Sequence, residues 1–364
     1  MSSSRITATP AFLIRQEILA LHAYHVQPSP GMVKLDAMEN PYSLPESIKV
    51  ELAQAVKNAE INRYPDANAH KLKSTIKAKN GIPADMEVLL GNGSDEIIQL
   101  LAMAVAKPGA SLMSVEPSFV MYKMIAAFTG MNYVGVPLTE DYSLDLSVML
   151  QTIRQHQPAL VFLAYPNNPT GNLFVEADIE KILEASSGLV VIDEAYYAFA
   201  DKSYLSRLGR YDNLLVMRTF SKLGMAGLRL GFLAGSKLWL DQLEKLRLPY
   251  NVGVLTQTVA EVLLKHHDVL LQQAGQIRQD RAWLFERLVG TVDVRAYPSD
   301  ANFILFRLSH AATVFEGLKQ RGVLIKKLDG SHPALQDCLR VTVGTAEENE
   351  KFIKALQESI QQFS

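Results

Sequence analysis

Lys222 stands in "MRTFSKLGMAGLRLGF" (217–232) among small and apolar residues, where a charge gains nothing from packing. Arg229 follows seven positions later. A lysine in such a setting is a candidate amine nucleophile, and an arginine beside it can grip an anion through its planar fork. The plain alternative is a pair of solvated surface charges, because both residue types are mostly exposed. Three other stretches bear on that choice. Asp193 closes the apolar run that opens "LVVIDEAYYAF" (189–199), with Tyr196 three residues on. "AYPNNPTGN" (164–172) sets two asparagines between prolines, which would hold the Asn168 amide in a fixed orientation. "GNGSDEII" (91–98) is a glycine-rich turn opening a helix, whose first backbone N–H groups and positive dipole end can bind a phosphate. Each stretch alone also reads as ordinary turn or cap chemistry.

Together they match the needs of one cofactor. Pyridoxal 5'-phosphate requires a lysine for a Schiff base and a carboxylate to pair with its ring nitrogen. It also needs donors to its phenolic oxygen, an aromatic neighbour and a phosphate cradle. Lys222, Asp193, Asn168 with Tyr196, Phe119, and the Gly93–Ser94–Asp95 turn supply these in order. Thr219, Ser221 and Arg229 would complete the phosphate cup, with the guanidinium binding the anion bidentately.

Such residues need elements that bring strand ends together. "MEVLLGNG" (86–93), "ASLMSVEP" (110–117), "PALVFLAYP" (158–166), 189–199 and "NLLVMRTFS" (213–221) read as strands, several nearly unbroken in apolar character. Segments 95–106 and 175–186 read as helices between them. That pattern predicts an α/β fold, a mostly parallel sheet sandwiched by helices, over roughly residues 45–250. Ligands of such sheets bind at the carboxyl ends of the strands. Residues 256–288 carry helical periodicity and lead into a smaller α+β unit. The expected division is therefore 45–250 for the large cofactor-binding domain, with 1–44 and 251–364 forming the N-terminal segment and small domain.

Composition narrows the class. The 364 residues carry 36 basic and 38 acidic side chains, so no basic footprint for nucleic acid exists. One cysteine excludes an internal disulfide framework and points to a reducing compartment. The eight histidines form neither HExxH nor a Cys/His cluster, so no metal is expected. No apolar run is long enough for a signal h-region or a membrane span, and the expected location is cytoplasmic.

These residues, in this order, resemble the fold-type I, class I/II pyridoxal-phosphate aminotransferases along nearly the whole chain. "YPNNPTG", "IDEAY", "TFSK…GLRLGF" and "CLRVTVG" carry the resemblance most specifically. "LDAMENPY" (35–42), "NRYPDAN" (62–68), "PSFVMY" (117–122) and "LRVTVGT" (339–345) are similar to landmarks of the histidinol-phosphate aminotransferase family. The resemblance implies that Lys222 carries the cofactor, Asp193 pairs with its ring nitrogen, Asn168 and Tyr196 hold its phenolic oxygen, and Phe119 stacks on its ring. It implies that Tyr64 reaches the cofactor phosphate of a neighbouring subunit, hence a homodimer. It implies that Arg340 holds the co-substrate carboxylate, and that Tyr24 and Asn40 contact substrate. The substrates it implies are L-histidinol phosphate and the pair L-glutamate/2-oxoglutarate, exchanged in L-histidine biosynthesis. Two departures stand out. The Lys222-to-Arg229 spacing is one position shorter than is usual in the family. Where the family often has an arginine for the substrate phosphate, "GVLIKKL" offers Lys326 or Lys327. An aromatic or broad-specificity aminotransferase and a phosphothreonine decarboxylase are the alternatives on the same scaffold. A cofactor-sensing transcription regulator is disfavoured, because fewer than 45 residues precede the large domain.

Overall fold

The computed structural model describes residues 8–23 and 26–362. Along it, β1 (Val33–Leu35) comes first and pairs only with a strand made much later. Then follow β2 (Met86–Gly91), β3 (Ser111–Glu116), β4 (Asn132–Pro137), β5 (Leu160–Ala164), β6 (Leu189–Asp193), β7 (Leu214–Thr219) and β8 (Gly231–Ser236). These seven form one sheet in the order β2-β8-β7-β6-β5-β3-β4. Neighbours from β4 through β7 run parallel, while β8 is antiparallel to both β7 and β2.

Helices cover both faces, which is why β5, β6 and β7 are buried at every position and lack an alternating pattern. β4, at the sheet edge, is half exposed. β8 was not anticipated as a strand. Its sequence "GFLAGS" is rich in small residues, and the backbone crowds its neighbours: a Cβ on Gly235 would lie 2.2 Å from Leu215. At Gly231 a Cβ would meet backbone, with Ser94 N at 2.9 Å, so a side chain there would force the chain apart.

A second sheet holds β1, β9 (Arg295–Ala296), β10 (Phe303–Arg307), β11 (Val323–Lys327) and β12 (Cys338–Thr342), in the order β1-β11-β12-β10-β9. The N-terminal segment thus returns to this sheet, as β1 lies parallel on β11. The long helical region is two helices, Val254–Lys265 and His267–Val289, meeting at His266. One apolar core runs continuously between the two sheets, from Val190 and Val216 to Phe303 and Phe306.

Candidate active site

Asp193 is the last residue of β6, and Thr219 the last of β7. After β7 the chain winds through a tight turn, Ser221–Met225, that presents Lys222, then a short turn, Ala226–Leu228, that delivers Arg229. Arg229 sits at φ 49°, in the left-handed region, directly after that turn. Helix Ser94–Val105 starts beside it, and the Asn168 turn follows β5. All of these meet in a recess of about 550 Å³.

Phe119, Asn168, Asp193, Tyr196 and Lys222 line one part of that recess. Ser94, Asp95, Thr219, Ser221 and Arg229 line the other. Met38, Ala164 and Ala195, which no motif singled out, complete the wall. Asp193 Oδ1 accepts a hydrogen bond from Ala195 N–H at 3.0 Å, and Oδ2 from the Tyr122 hydroxyl at 2.6 Å. Burial pushes the Asp193 carboxyl up to about 6, against the pull of those two donors. A cation placed beside it would remove the penalty.

Lys222 donates to the Ala37 carbonyl at 3.0 Å. Burial, helped by the positive charge of Arg340, lowers its ammonium to about 8. About a tenth of the amine is therefore neutral at pH 7, against well under a hundredth for a solvated lysine, as a nucleophile or base requires. Asn168 Nδ2 donates to the Tyr196 hydroxyl at 3.1 Å, and Arg340 donates to Asn168 Oδ1. This chain fixes which face of the amide points inward.

In the other part, the Arg229 fork spans Ser221 Oγ at 3.4 Å and Asp95 Oδ2 at 3.3 Å. It lies against the turn at Gly93, where a Cβ would come within 2.7 Å of Nη2. Gly93 also has φ 83°, so a side chain is excluded twice over. The result is a helix N-terminus, three small hydroxyl or backbone donors and a guanidinium around one space, a cup for a phosphate dianion. With a buried carboxylate and a depressed lysine at the opposite part, the donor set fits pyridoxal phosphate.

The remaining assigned residues lie elsewhere. Arg340, on β12, is buried, donates to the Asp36 carbonyl at 3.2 Å and stacks on Phe303 with 5.0 Å to the ring centroid. Lys326 on β11 is its cross-strand partner, so both side chains stand on the same face. Burial and the Arg340 charge lower the Lys326 ammonium. Both line a neighbouring cavity of about 1200 Å³ that shares Phe119 and Asn168 with the first recess. Lys327 also borders it.

Asn40 does not line the cofactor recess. Its amide donates to the Leu223 carbonyl at 3.1 Å and to Gln273 Oε1 at 2.9 Å, and its carbonyl accepts from Tyr42 N–H. It braces the lysine turn against helix His267–Val289. Tyr64 is 80% exposed and stacks on Tyr250 with ring centroids 4.4 Å apart, also outside the recess. Tyr24 lies outside the described residues.

Three supporting residues had gone unassigned. Asn167, fully buried, donates to the Pro117 carbonyl at 3.0 Å and accepts from the Ser118 hydroxyl at 2.8 Å, tying the Phe119 loop to the Asn168 turn. Its place in "PNNP" was visible, but nothing local told the two asparagines apart. Behind Asp193, Arg218 donates to Glu194 Oε2 at 2.8 Å and stacks under Tyr197 at 3.9 Å. That buried pair, satisfied further by Asn80 and Ser203, holds the ends of β6 and β7 together.

Known proteins fall in line with this geometry. The aminotransferase class I and II family profile matches residues 30–356. Histidinol-phosphate aminotransferase 2 of Cupriavidus pinatubonensis is 52% identical over 354 residues, covering 96% of this chain and 97% of its own. Histidinol-phosphate aminotransferase of Chromobacterium violaceum is 50% identical, covering 95% and 97%. Among solved structures, histidinol-phosphate aminotransferase from Sinorhizobium meliloti in complex with pyridoxal-5'-phosphate superposes with a TM-score of 0.86 at 23% identity, covering 97% of this chain and 98% of its own. The chain belongs to the class I and II, pyridoxal-phosphate-dependent aminotransferases, and within them to the histidinol-phosphate aminotransferase family.

Proposed function

We propose that this aminotransferase moves the amino group of L-histidinol phosphate to 2-oxoglutarate, yielding imidazole-acetol phosphate and L-glutamate in a reversible ping-pong exchange. The observation that carries the reading is the pairing of Arg340 and Lys326 on one face, beside a recess holding Lys222 and Asp193. Two anion-binding cations suit a site that must accept first a phosphate monoester and then a dicarboxylate. The relatives at about half identity bear the corresponding name.

Bound pyridoxal phosphate supplies an electrophilic carbon for the amine and a ring that accepts an electron pair. The residues do the rest. Lys222 Nζ, in its deprotonated form, would take the proton from the substrate α-carbon and, as an ammonium, would deliver it to the cofactor carbon that bears the substrate nitrogen. Asp193 holds a proton at the ring nitrogen, where developing negative charge needs it. Asn168 and Tyr196 donate to the phenolic oxygen. Phe119 covers the ring, and Ser94, Asp95, Thr219, Ser221, Gly93 and Arg229 hold the phosphate. Arg340 binds the carboxylate of the amino-acid partner, and Lys326 the distal anion.

The same reading divides the chain into residues 45–250, which build the cofactor site, and residues 1–44 with 251–364, which close over it. No helix among the described residues is long and apolar enough to cross a membrane. Separately, the single cysteine suits a reducing compartment, and a cytoplasmic enzyme with small-molecule substrates is part of the proposal.

The absorbance spectrum tests the proposal. The purified protein with pyridoxal phosphate is expected to show a bound chromophore that L-histidinol phosphate converts to the amine form of the cofactor. A chromophore that answers glutamate and aromatic amino acids but not histidinol phosphate would sink the substrate assignment.

A two-fold dimer is proposed on the exposure of Tyr64, whose hydroxyl would complete the phosphate cup of the partner subunit. Tyr64→Ala and Lys222→Ala proteins, each impaired alone, are expected to regain activity when unfolded together and refolded as mixed dimers. One site of each mixed dimer then carries an intact Lys222 and receives an intact Tyr64. No regain on mixing would place Tyr64 in its own subunit's site or in neither.

A further inference from the structure

Asp193 does not face the recess unsupported. Tyr122, in helix Met121–Thr129, is fully buried and donates its hydroxyl to Asp193 Oδ2 at 2.6 Å. Its ring lies flat on Phe162 of β5, with centroids 4.6 Å apart and planes 7° apart. Phe119 meets it edge-on at 5.6 Å and 87°. The phenol is therefore clamped between the sheet and the residue assigned to cover the cofactor ring.

The charged and polar neighbours of Asp193 pull in two directions. Asp95, at the start of helix Ser94–Val105, and Glu194, next in the chain, both raise its affinity for a proton. The Tyr122 hydroxyl and the Ala195 N–H oppose them. A carboxylate that already accepts a hydrogen bond keeps its negative charge more readily. Tyr122 does not give up its own proton in exchange, since burial and the nearby Asp193 charge hold the phenol well above its ordinary range. Asp193 retains acceptor capacity on each oxygen for a ligand, as a carboxylate offers about four lone-pair sites.

We propose that Tyr122 is a positioning residue: by donating to Asp193 Oδ2 it fixes the carboxylate plane and weakens it as a base, so that the proton shared with the pyridine nitrogen of bound pyridoxal phosphate stays on the nitrogen. The inference rests on reading Asp193 as the partner of that nitrogen. The proton moves only between those two atoms, and the phenol keeps its own. In the absence of the hydroxyl, the proton shifts toward Asp193 and the ring accepts electrons less well. Tyr122 ends the landmark "PSFVMY", yet the motif gives it no role, because a tyrosine on the inner face of an amphipathic helix looks like core filling.

Pyridoxal phosphate labelled with nitrogen-15 in its ring, bound to the whole protein, reports the protonation directly by NMR. At fixed neutral pH the nitrogen-15 signal of Tyr122→Phe is expected to move toward that of an unprotonated pyridine, the shared proton repartitioning toward Asp193 by about tenfold, the order of one hydrogen bond to a charged acceptor. Turnover should fall with KM for the amino donor little changed. Replacing Tyr122 by 3-fluorotyrosine, a stronger donor of the same shape, should move the signal toward the protonated limit. A signal unmoved in Tyr122→Phe overturns the proposal. If that protein fails to fold or to hold the cofactor, an unmoved signal in the fluorotyrosine protein overturns it instead. Asp193→Asn separates the two layers. If it shifts the nitrogen signal while neither Tyr122 replacement does, only the role of Tyr122 falls; if it too leaves the signal unchanged, the reading of Asp193 falls with it.

Discussion

Lys222→Ala is expected to lower transamination by about 10³-fold or more while leaving the far-ultraviolet circular dichroism of the protein unchanged. General acid–base catalysis alone accounts for about 10²–10⁴ in such reactions, and in the proposed mechanism the same amine also captures the cofactor. The fold should tolerate the change because Lys222 makes a single hydrogen bond, to the Ala37 carbonyl, and its burial works against its own charge. A pH signature accompanies it. The Lys222 ammonium is lowered to about 8, so the rate of cofactor capture by the apo protein should climb with pH up to that point and level off above it. In a solvated lysine the climb would continue toward the ordinary value of about 10.4. Capture that keeps rising well past pH 8 would mean that the amine is not buried in solution as it is here.

The second large effect is expected at Asp193. Asp193→Ala should reduce turnover by about 10²–10³, the scale of removing one preorganised charge partner from a developing charge, and should weaken cofactor retention as well. Asp193 is fixed from three sides: it ends β6, it accepts from Ala195 N–H, and it accepts from Tyr122. No neighbouring carboxylate is free to replace it, because Glu194 is committed to Arg218, Ser203 and the Tyr204 N–H. Asp95 is engaged with Arg229. Full activity in Asp193→Ala would show that ring protonation does not limit the reaction.

The residues that line the recess were legible in the sequence to an unusual depth because most of them sit at, or a few positions beyond, the end of a buried strand. The apolar runs before Asp193 and Thr219 mark those strands without ambiguity, and the ends of parallel strands converge by topology. What escaped was whatever lacked a periodic signal. β8 is built of glycine and alanine where backbones crowd, and β4 is a half-exposed edge with no clean alternation. The break at His266 has no proline or glycine to announce it. Residues that act through others were the hardest to see. Asn40 sits beside landmark residues yet spends its amide on Leu223 and Gln273, while Tyr122 and Asn167 support the site from positions that resemble core and loop. Partner choice in space, not local pattern, separates those roles.

Residues 36–38 lie where the recess meets the neighbouring cavity, and Met38 lines both. The Ala37 carbonyl receives Lys222, the Asp36 carbonyl receives Arg340, and the Met38 backbone is held by Asn302 and Thr342. Two of those contacts span 304 positions of sequence. On the ribosome, then, residues 36–38 emerge long before β12 and must wait for it before they can dock. A nascent chain stalled between Arg229 and β12 would carry Lys222 and Asp193 but lack the strand that seats Asp36 and Met38. Competence to hold a cofactor should accordingly arrive late in synthesis, once β12 is made.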